Sequence, residues 1–138
     1  MFIKKVHEQH QIKLKIVQGY RTYREQDELY AKGRIMPGSI VTNAKGGQSN
    51  HNFGLAIDVF PIWQDGRPHM KKEDDAENIR LLKLIAHIGI EEGLAWGGHW
   101  RKFKDYPHFE LKVGKNMAQL RAAVKAAGGD TLAVKYDI

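Results

Sequence analysis

Residues 49–60 read SNHNFGLAIDVF, and this stretch combines a predicted strand with two candidate site residues. The segment Phe53–Phe60 alternates well enough to predict a strand that Pro61 ends. Asp58 lies within this apolar strand, where an acid is costly unless it is paired or bound to a cation. His51 lies in the loop just before the strand, so the two side chains are candidates for one site.

Further elements are predicted on both sides of this strand. Upstream, Lys13–Gln18 has the pattern of a strand, and Thr22 with Glu25 forms a capping box for a helix that runs to about Lys32. A polar loop then covers Gly38–Gln48. Downstream the sequence predicts, in order, a long helix from near Glu73 to Gly93, a short strand at Pro107–Leu111, and a helix that Asn116 caps and that runs through Ala127. The sum is an α+β fold with helices packed around a small antiparallel sheet.

The length of 138 residues is that of one ordinary domain. No internal repeat and no linker rich in Pro or Ser divides the sequence. We therefore expect a single domain over residues 1–138, with the motif-bearing core at 13–111 and a helical extension at 112–138.

The composition limits the chemistry of any site. The chain has no cysteine, so a zinc site must use histidine and carboxylate ligands. The net charge of +6 favours acidic partners such as nucleic acid, anionic lipid or bacterial wall polymers. The basic residues are spread along the chain rather than clustered, which weakens the nucleic-acid interpretation.

The N-terminal residues 1–12 carry Lys4, Lys5, His7, Glu8 and His10 where a signal peptide needs an apolar stretch. No run approaches the roughly 18 apolar residues of a membrane span. We expect synthesis in the cytoplasm without a signal peptide and no membrane insertion.

Three distant residues form a candidate metal site. The third candidate ligand, after His51 and Asp58, is His108. It lies in the predicted strand PHFEL and shares one face of that strand with Glu110. Two histidines and one carboxylate leave a fourth zinc position open for water. Spacing alone is weak evidence, because other histidines are available at positions 7, 10, 69, 87 and 99.

Two more residues have the chemistry that a hydrolytic site needs. Asp105, three residues before His108, can act as the base beside the metal, although it can equally cap a turn. Arg21 directly follows the first strand and can hold a substrate carboxylate or an oxyanion, although a surface role is commoner.

Three segments together resemble the VanY-type metallopeptidases, which include bacterial and phage D-alanyl-D-alanine carboxypeptidases and L-alanyl-D-glutamate endopeptidases. They are VQGYRTYREQDELYAKGR at 17–34, PGSIVTNAKGGQSNHNFGLAIDVF at 37–60 and GLAWGGHWRKFKDYPHFEL at 93–111. The resemblance implies the fold shared by these peptidases and the hedgehog signalling domain.

The resemblance also implies roles for individual residues. It makes His51, Asp58 and His108 ligands of Zn²⁺, Asp105 the catalytic base, and Arg21 a residue that binds substrate and stabilises the transition state. Two further residues, Gln26 and Ser49, are implied to line the cleft or support the ligands, although a cap or core contact explains each as well.

Within the family, the stretch TNAKGGQSNHNFGLAID is most similar to the L-alanyl-D-glutamate endopeptidases. This similarity implies hydrolysis of the peptidoglycan stem peptide between its first two residues. We separately expect a monomer with no nucleic-acid partner. The expected setting is a phage or prophage lysin that is released through a holin and then acts on the cell wall.

Three alternatives remain open from the sequence. One is a D-alanyl-D-alanine carboxypeptidase, a second is a non-catalytic zinc-containing wall-binding module, and the third is a basic nucleic-acid-binding protein. His99 stands where we expect Asp in close relatives, so it is a fourth histidine that can tune the site or compete for the metal.

Overall fold

The computed structural model describes residues 1–136, so the last two residues of the predicted extension 112–138 lie outside the described residues. The helices of this part of the chain are α1 (Phe2–His10), α2 (Tyr23–Ala31), α3 (Asp75–Glu91) and α4 (Met117–Ala126). Its strands are β1 (Lys13–Gln18), β2 (Ala56–Ile62), β3 (Leu94–Trp96) and β4 (His108–Leu111). None of the helices among residues 1–136 has the length and apolar character required to span a membrane.

The strands form one sheet in the order β1-β2-β4-β3. Strand β1 pairs antiparallel with β2, with Lys13 opposite Ile62, and β3 pairs antiparallel with β4, with Ala95 opposite Glu110. The predicted α+β fold with a small antiparallel sheet is confirmed.

The chain divides into two compact units, each with its own hydrophobic core. The first comprises residues 1–18 and 57–112, and its core includes Val6, Val59, Leu82, Ile85 and Phe109. The second comprises residues 19–56 and the chain from 113 onward, and its core is built on Phe53, Leu55, Leu120 and Val124. The expectation of one domain over 1–138 with its core at 13–111 stays a prediction.

Both capping motifs that the sequence predicts are present. The Thr22 hydroxyl accepts a hydrogen bond from the backbone N–H of Glu25 at 3.0 Å, and α2 begins directly after it. The Asn116 side chain accepts from the N–H of Gln119 at 2.9 Å at the start of α4. Such side chains satisfy N–H groups that the first helical turn leaves without a partner in the helix, which is why they mark helix starts so reliably.

Two elements were not predicted from the sequence. Helix α1 has few apolar residues, but Phe2 and Val6 are buried one turn apart, and the Phe2 ring lies 4.7 Å from that of Phe109. Strand β3 has only three residues and exists through its pairing with β4. Both elements depend on tertiary contacts, which a local pattern does not contain.

The boundaries of two predicted elements were wrong by a few residues. Strand β2 begins at Ala56 rather than Phe53, because Asn50–Phe53 forms a 3₁₀ turn that ends at Gly54 with φ of 70°. Pro61 continues β2 opposite Leu14, since only alternate residues of an antiparallel strand donate to a given partner. Helix α3 starts at Asp75, after a 3₁₀ turn that holds Glu73 and Asp74.

Candidate metal centre

The structure brings together the three residues that the sequence singled out as metal ligands. One ring nitrogen each of His51 and His108 and one carboxylate oxygen of Asp58 all lie within 4.8 Å of one another. His51 and His108 are buried, with exposed fractions of 4% and 5%, and Asp58 is half-buried. No other group of three such side chains meets this distance among residues 1–136.

His51 is held by contacts on both sides of its backbone and by its ring. It lies in the 3₁₀ turn after Ser49, whose hydroxyl accepts a hydrogen bond from the His51 N–H at 3.3 Å. The ring Nδ1 lies 2.9 Å from the carbonyl oxygen of Gly19. A carbonyl can only accept, so Nδ1 carries the proton and Nε2 keeps a lone pair for a metal.

Asp58 is positioned by an irregularity in the sheet. The pairing of β1 with β2 slips between Ile16 and Gln18, where Ile16 lies opposite Val59 and Gln18 lies opposite Asp58. The slip lets two residue steps of β1 oppose one step of β2, as a β-bulge does. Bulges re-aim side chains and are common beside active sites, and this one lies directly opposite Asp58.

His108 begins β4 and is surrounded by carboxylates. Its Nδ1 lies 3.3 Å from Asp58 Oδ1 and 4.0 Å from Asp105 Oδ2, and its Nε2 lies 3.1 Å from Glu110 Oε1. Burial lowers the pKa of His108, but the hydrogen bonds to Asp58 and Glu110 and the charge of Asp105 outweigh it and raise this pKa from 6.5 to about 9. The metal-free site therefore favours a protonated His108 at neutral pH.

Asp105 is presented to His108 by a tight turn against Gly97. The Asp105 N–H donates to the Gly97 carbonyl at 3.1 Å, and the His108 N–H donates to the Asp105 carbonyl at 3.2 Å. A Cβ atom at position 97 would lie 2.3 Å from the Asp105 carbonyl oxygen, so only glycine permits this approach. With its side chain 45% exposed, the Asp105 carboxylate is accessible to water and to substrate.

Arg21 is restrained at its backbone and at its guanidinium. Its N–H donates to the His51 carbonyl at 2.9 Å, and its carbonyl accepts from Asn52 Nδ2 at 2.9 Å. Its Nη1 donates to Gln26 Oε1 at 2.7 Å. The side chains of Gln26 and Ser49 thus contact Arg21 and His51 respectively, while their functional roles stay predictions.

Glu110 is a residue of the site to which the sequence analysis assigned no role. Alternation placed it on the same face as His108, and that was the only available signal. The structure adds that Glu110 is 7% exposed and contacts the ring nitrogen of His108 opposite to the one facing Asp58. A carboxylate in this position can fix the orientation of a metal-binding histidine ring from the nitrogen that does not bind the metal.

The aromatic residues and His99 take different places around this site. The Trp100 ring lies 4.9 Å from that of His108, whereas Trp96 is 7% exposed and belongs to the core of the first unit. The ring of His99 packs edge-on against Trp96 at 5.0 Å, and His99 is not among the three clustered ligands.

The donor atoms fit a zinc ion. Zinc prefers four tetrahedral ligands with bonds of about 2.0–2.1 Å to nitrogen or oxygen, which places two ligand atoms about 3.3 Å apart. His108 Nδ1 and Asp58 Oδ1 are 3.3 Å apart, which matches this separation. Two imidazoles and one carboxylate also suit zinc better than the all-oxygen preference of Mg²⁺ or Ca²⁺.

The chain is similar to a curated protein, to a solved structure and to a protein family. The peptidoglycan L-alanyl-D-glutamate endopeptidase CwlK of Bacillus subtilis is 42% identical over 102 residues, which are 70% of this chain and 59% of CwlK. The solved structure of the Serratia marcescens L-Ala D-Glu endopeptidase ChiX is 23% identical, covers 73% of this chain and 68% of its own, and has a TM-score of 0.47. Residues 42–111, half of the chain, match the M15 peptidase family described as D-alanyl-D-alanine carboxypeptidase. The stretch contains His51, Asp58, Asp105 and His108, and the chain belongs to this family.

Proposed function

We propose that this chain is a zinc-dependent peptidase that hydrolyses the L-alanyl-D-glutamate bond of peptidoglycan stem peptides. The observation that carries the proposal is the approach of His51, Asp58 and His108 to within 4.8 Å, with Asp105 beside His108. The choice of bond is supported by the 42% identity to CwlK, whose name states this specificity. The chain spans 59% of the length of CwlK, so the activity is carried over as a proposal.

His51 through Nε2, Asp58 through its carboxylate and His108 through Nδ1 would hold the metal. Zinc bound there supplies a Lewis acid that polarises a carbonyl and lowers the pKa of water to about 7. Glu110 keeps the His108 ring in the required orientation from the Nε2 side.

Asp105 is proposed as the general base. Its carboxylate takes a proton from the attacking water and returns it to the leaving amine of the cut peptide bond. The carboxylate is half-exposed, so it can contact water. It lies 4.0 Å from His108 Nδ1, which is farther than Asp58, the carboxylate that is proposed to bind the metal. Arg21, held by Gln26, is proposed to bind the substrate and stabilise the negative charge that develops on the carbonyl oxygen.

A second candidate is D-alanyl-D-alanine carboxypeptidase activity, which the description of the matched family favours. Both reactions use the same metal and the same base, and they differ in which end of the stem peptide is bound. The proposed partner is in either case peptidoglycan, and the net charge of +6 attracts the chain to anionic wall polymers. Origin in a phage, release through a holin and a monomeric state stay predictions.

Mass spectrometry of muropeptides after digestion of purified peptidoglycan tests the proposal. We expect new amino groups on D-glutamate, loss of this signal with a chelator, and its return with zinc. His108→Ala abolishes cleavage, and His87→Ala, at an exposed position of α3, does not. Release of free D-alanine favours the carboxypeptidase, and absence of any cleavage favours the wall-binding module.

Binding to DNA distinguishes the remaining alternative. A nucleic-acid-binding protein loses affinity steeply with salt and is indifferent to a chelator. For the proposed peptidase we expect no specific DNA binding and a complete dependence of lysis on the metal.

A further inference from the structure

We propose that Gln26 is a positioning residue that sets the orientation of the Arg21 guanidinium for the peptidase reaction. This inference rests on the function proposed above for Arg21. Gln26 itself is not proposed to touch substrate or metal, and it acts through Arg21.

The burial of Gln26 is unusual for its residue type. Glutamine is mostly exposed in folded proteins. Gln26 nevertheless has an exposed fraction of 0% and is the residue that α2 buries, although α2 also contains Leu29 and two tyrosines. A helix that needed only a packing contact would be better served by an apolar residue, so a polar function explains the choice.

Both ends of the Gln26 amide are used. Its Oε1 accepts from Arg21 Nη1 at 2.7 Å, and its Nε2 donates to the Ala44 carbonyl at 2.9 Å. The bond to Ala44 fixes which way the amide points, because only the NH₂ group can donate to a carbonyl. The oxygen is thereby aimed at Arg21, and the resulting partly buried hydrogen bond is charge-assisted, which is among the stronger kinds.

The backbone of Arg21 is already fixed by its neighbours. The His51 carbonyl accepts from its N–H, and Asn52 donates to its carbonyl, each at 2.9 Å. An arginine side chain is long and carries about 2 kcal/mol of rotamer entropy. A restraint at Nη1 removes much of this freedom before substrate binds, which is the advantage of a pre-organised site.

Gln26→Met tests the inference, since methionine has a similar length and helix propensity but accepts no strong hydrogen bond. We expect kcat to fall at least tenfold with KM changed less than threefold, because Arg21 is needed most in the transition state. Gln26→Glu retains the acceptor for Arg21 but loses the donor to the Ala44 carbonyl, so we expect it to recover only part of the activity lost in Gln26→Met. Gln9→Met, at an exposed position of α1, is the matched control and leaves kcat unchanged.

A double-mutant cycle with Arg21→Ala separates positioning from an independent role. If Gln26 acts through Arg21, adding Gln26→Met to Arg21→Ala lowers kcat no further than twofold. If the two losses multiply, the inference is overturned. Zinc content and thermal unfolding of each variant show whether a lost activity reflects a lost fold or a lost metal.

A readout independent of activity keeps the inference testable if the proposed function fails. In ¹⁵N-labelled protein, the restrained Arg21 guanidinium should give resolved Nη–H signals that Gln26→Met removes and Gln9→Met retains. Unchanged Arg21 signals in Gln26→Met overturn the positioning role. Full activity of Arg21→Ala contradicts instead the role proposed for Arg21 in the reaction.

Discussion

His108 has carboxylates on both of its ring nitrogens, and this arrangement divides their roles. Asp58 and Asp105 lie on the Nδ1 side at 3.3 and 4.0 Å, and Glu110 lies on the Nε2 side at 3.1 Å. In the proposed mechanism, Asp58 shares the metal with His108, and the farther and more exposed Asp105 moves the proton. Glu110 is proposed to orient the ring from its Nε2 side.

Asp105→Asn separates catalysis from metal binding. The amide cannot accept a proton from water, so we expect turnover to fall about 10²–10⁴-fold, the usual contribution of a general base. Zinc content, measured by atomic absorption, stays at the wild-type level, because the three ligands are intact. The control Asp75→Asn changes an exposed carboxylate of α3 and retains full turnover. Loss of zinc from Asp105→Asn would instead make Asp105 part of the metal site.

Glu110→Gln tests the orienting carboxylate. The glutamine amide is a weaker acceptor and can also donate to Nε2, which would put the proton of neutral His108 on Nδ1, where the metal binds. We expect zinc affinity to fall about 10–100-fold, measured by competition with a chromophoric chelator. Glu73→Gln, in the exposed turn before α3, is the matched control, and equal affinity in both variants would remove the role from Glu110.

Among the secondary-structure elements, helix α1 forms because of tertiary packing, and its own sequence pattern does not predict it. Phe2 and Val6 are its buried residues, with exposed fractions of 5% and 0%, and both belong to the core that contains Phe109. Isolated helices of nine residues are unstable in water, so these contacts hold α1 in place.

Val6→Ala measures this contribution. It removes two buried methyl groups and leaves a cavity, so the free energy of unfolding should fall by about 2 kcal/mol. Gln9→Ala, at an exposed position of the same helix, should change it by less than about 0.5 kcal/mol. Urea denaturation of both variants provides the comparison. A Val6→Ala variant as stable as the wild type would show that α1 adds little to the first unit.

For the whole molecule, the raised pKa of His108 predicts how the metal-free protein responds to pH. The pKa is about 9 in the folded chain against an ordinary value of 6.5, so folding favours the protonated ring. The resulting stabilisation is complete below pH 6.5 and is lost as pH rises through about 9. A shift of this size corresponds to at most about 3 kcal/mol.

Urea denaturation in the presence of a chelator, at several pH values from 6 to 9.5, checks this dependence. The unfolding free energy should fall across that interval, and His108→Gln should flatten the change. Because a metal displaces the proton from Nδ1, zinc affinity should rise over the same interval. Stability that rises with pH in the metal-free wild type would contradict the proposed protonation of His108.

The sequence alone was sufficient wherever the signal is local. Strand β1, the caps at Thr22 and Asn116, and the approximate ends of α2 and α4 follow from short-range patterns of hydrophobicity and hydrogen-bonding side chains. The residues of the candidate site were also recognisable, since His51, Asp58, Asp105 and His108 lie in motifs of a known family. The identity of these residues and the chemistry of their side chains could therefore be read without a structure.

Only the tertiary structure decided how those residues face one another. Helix α1 and strand β3 exist because distant residues bury or pair with them, and Glu110 contacts His108 because the ring turns its Nε2 towards the carboxylate. Likewise, the hydrogen bond between Gln26 and Arg21 depends on side-chain rotamers within a buried setting. The physical reason is that residue type and spacing determine which groups are available, whereas distance and burial determine which of them interact.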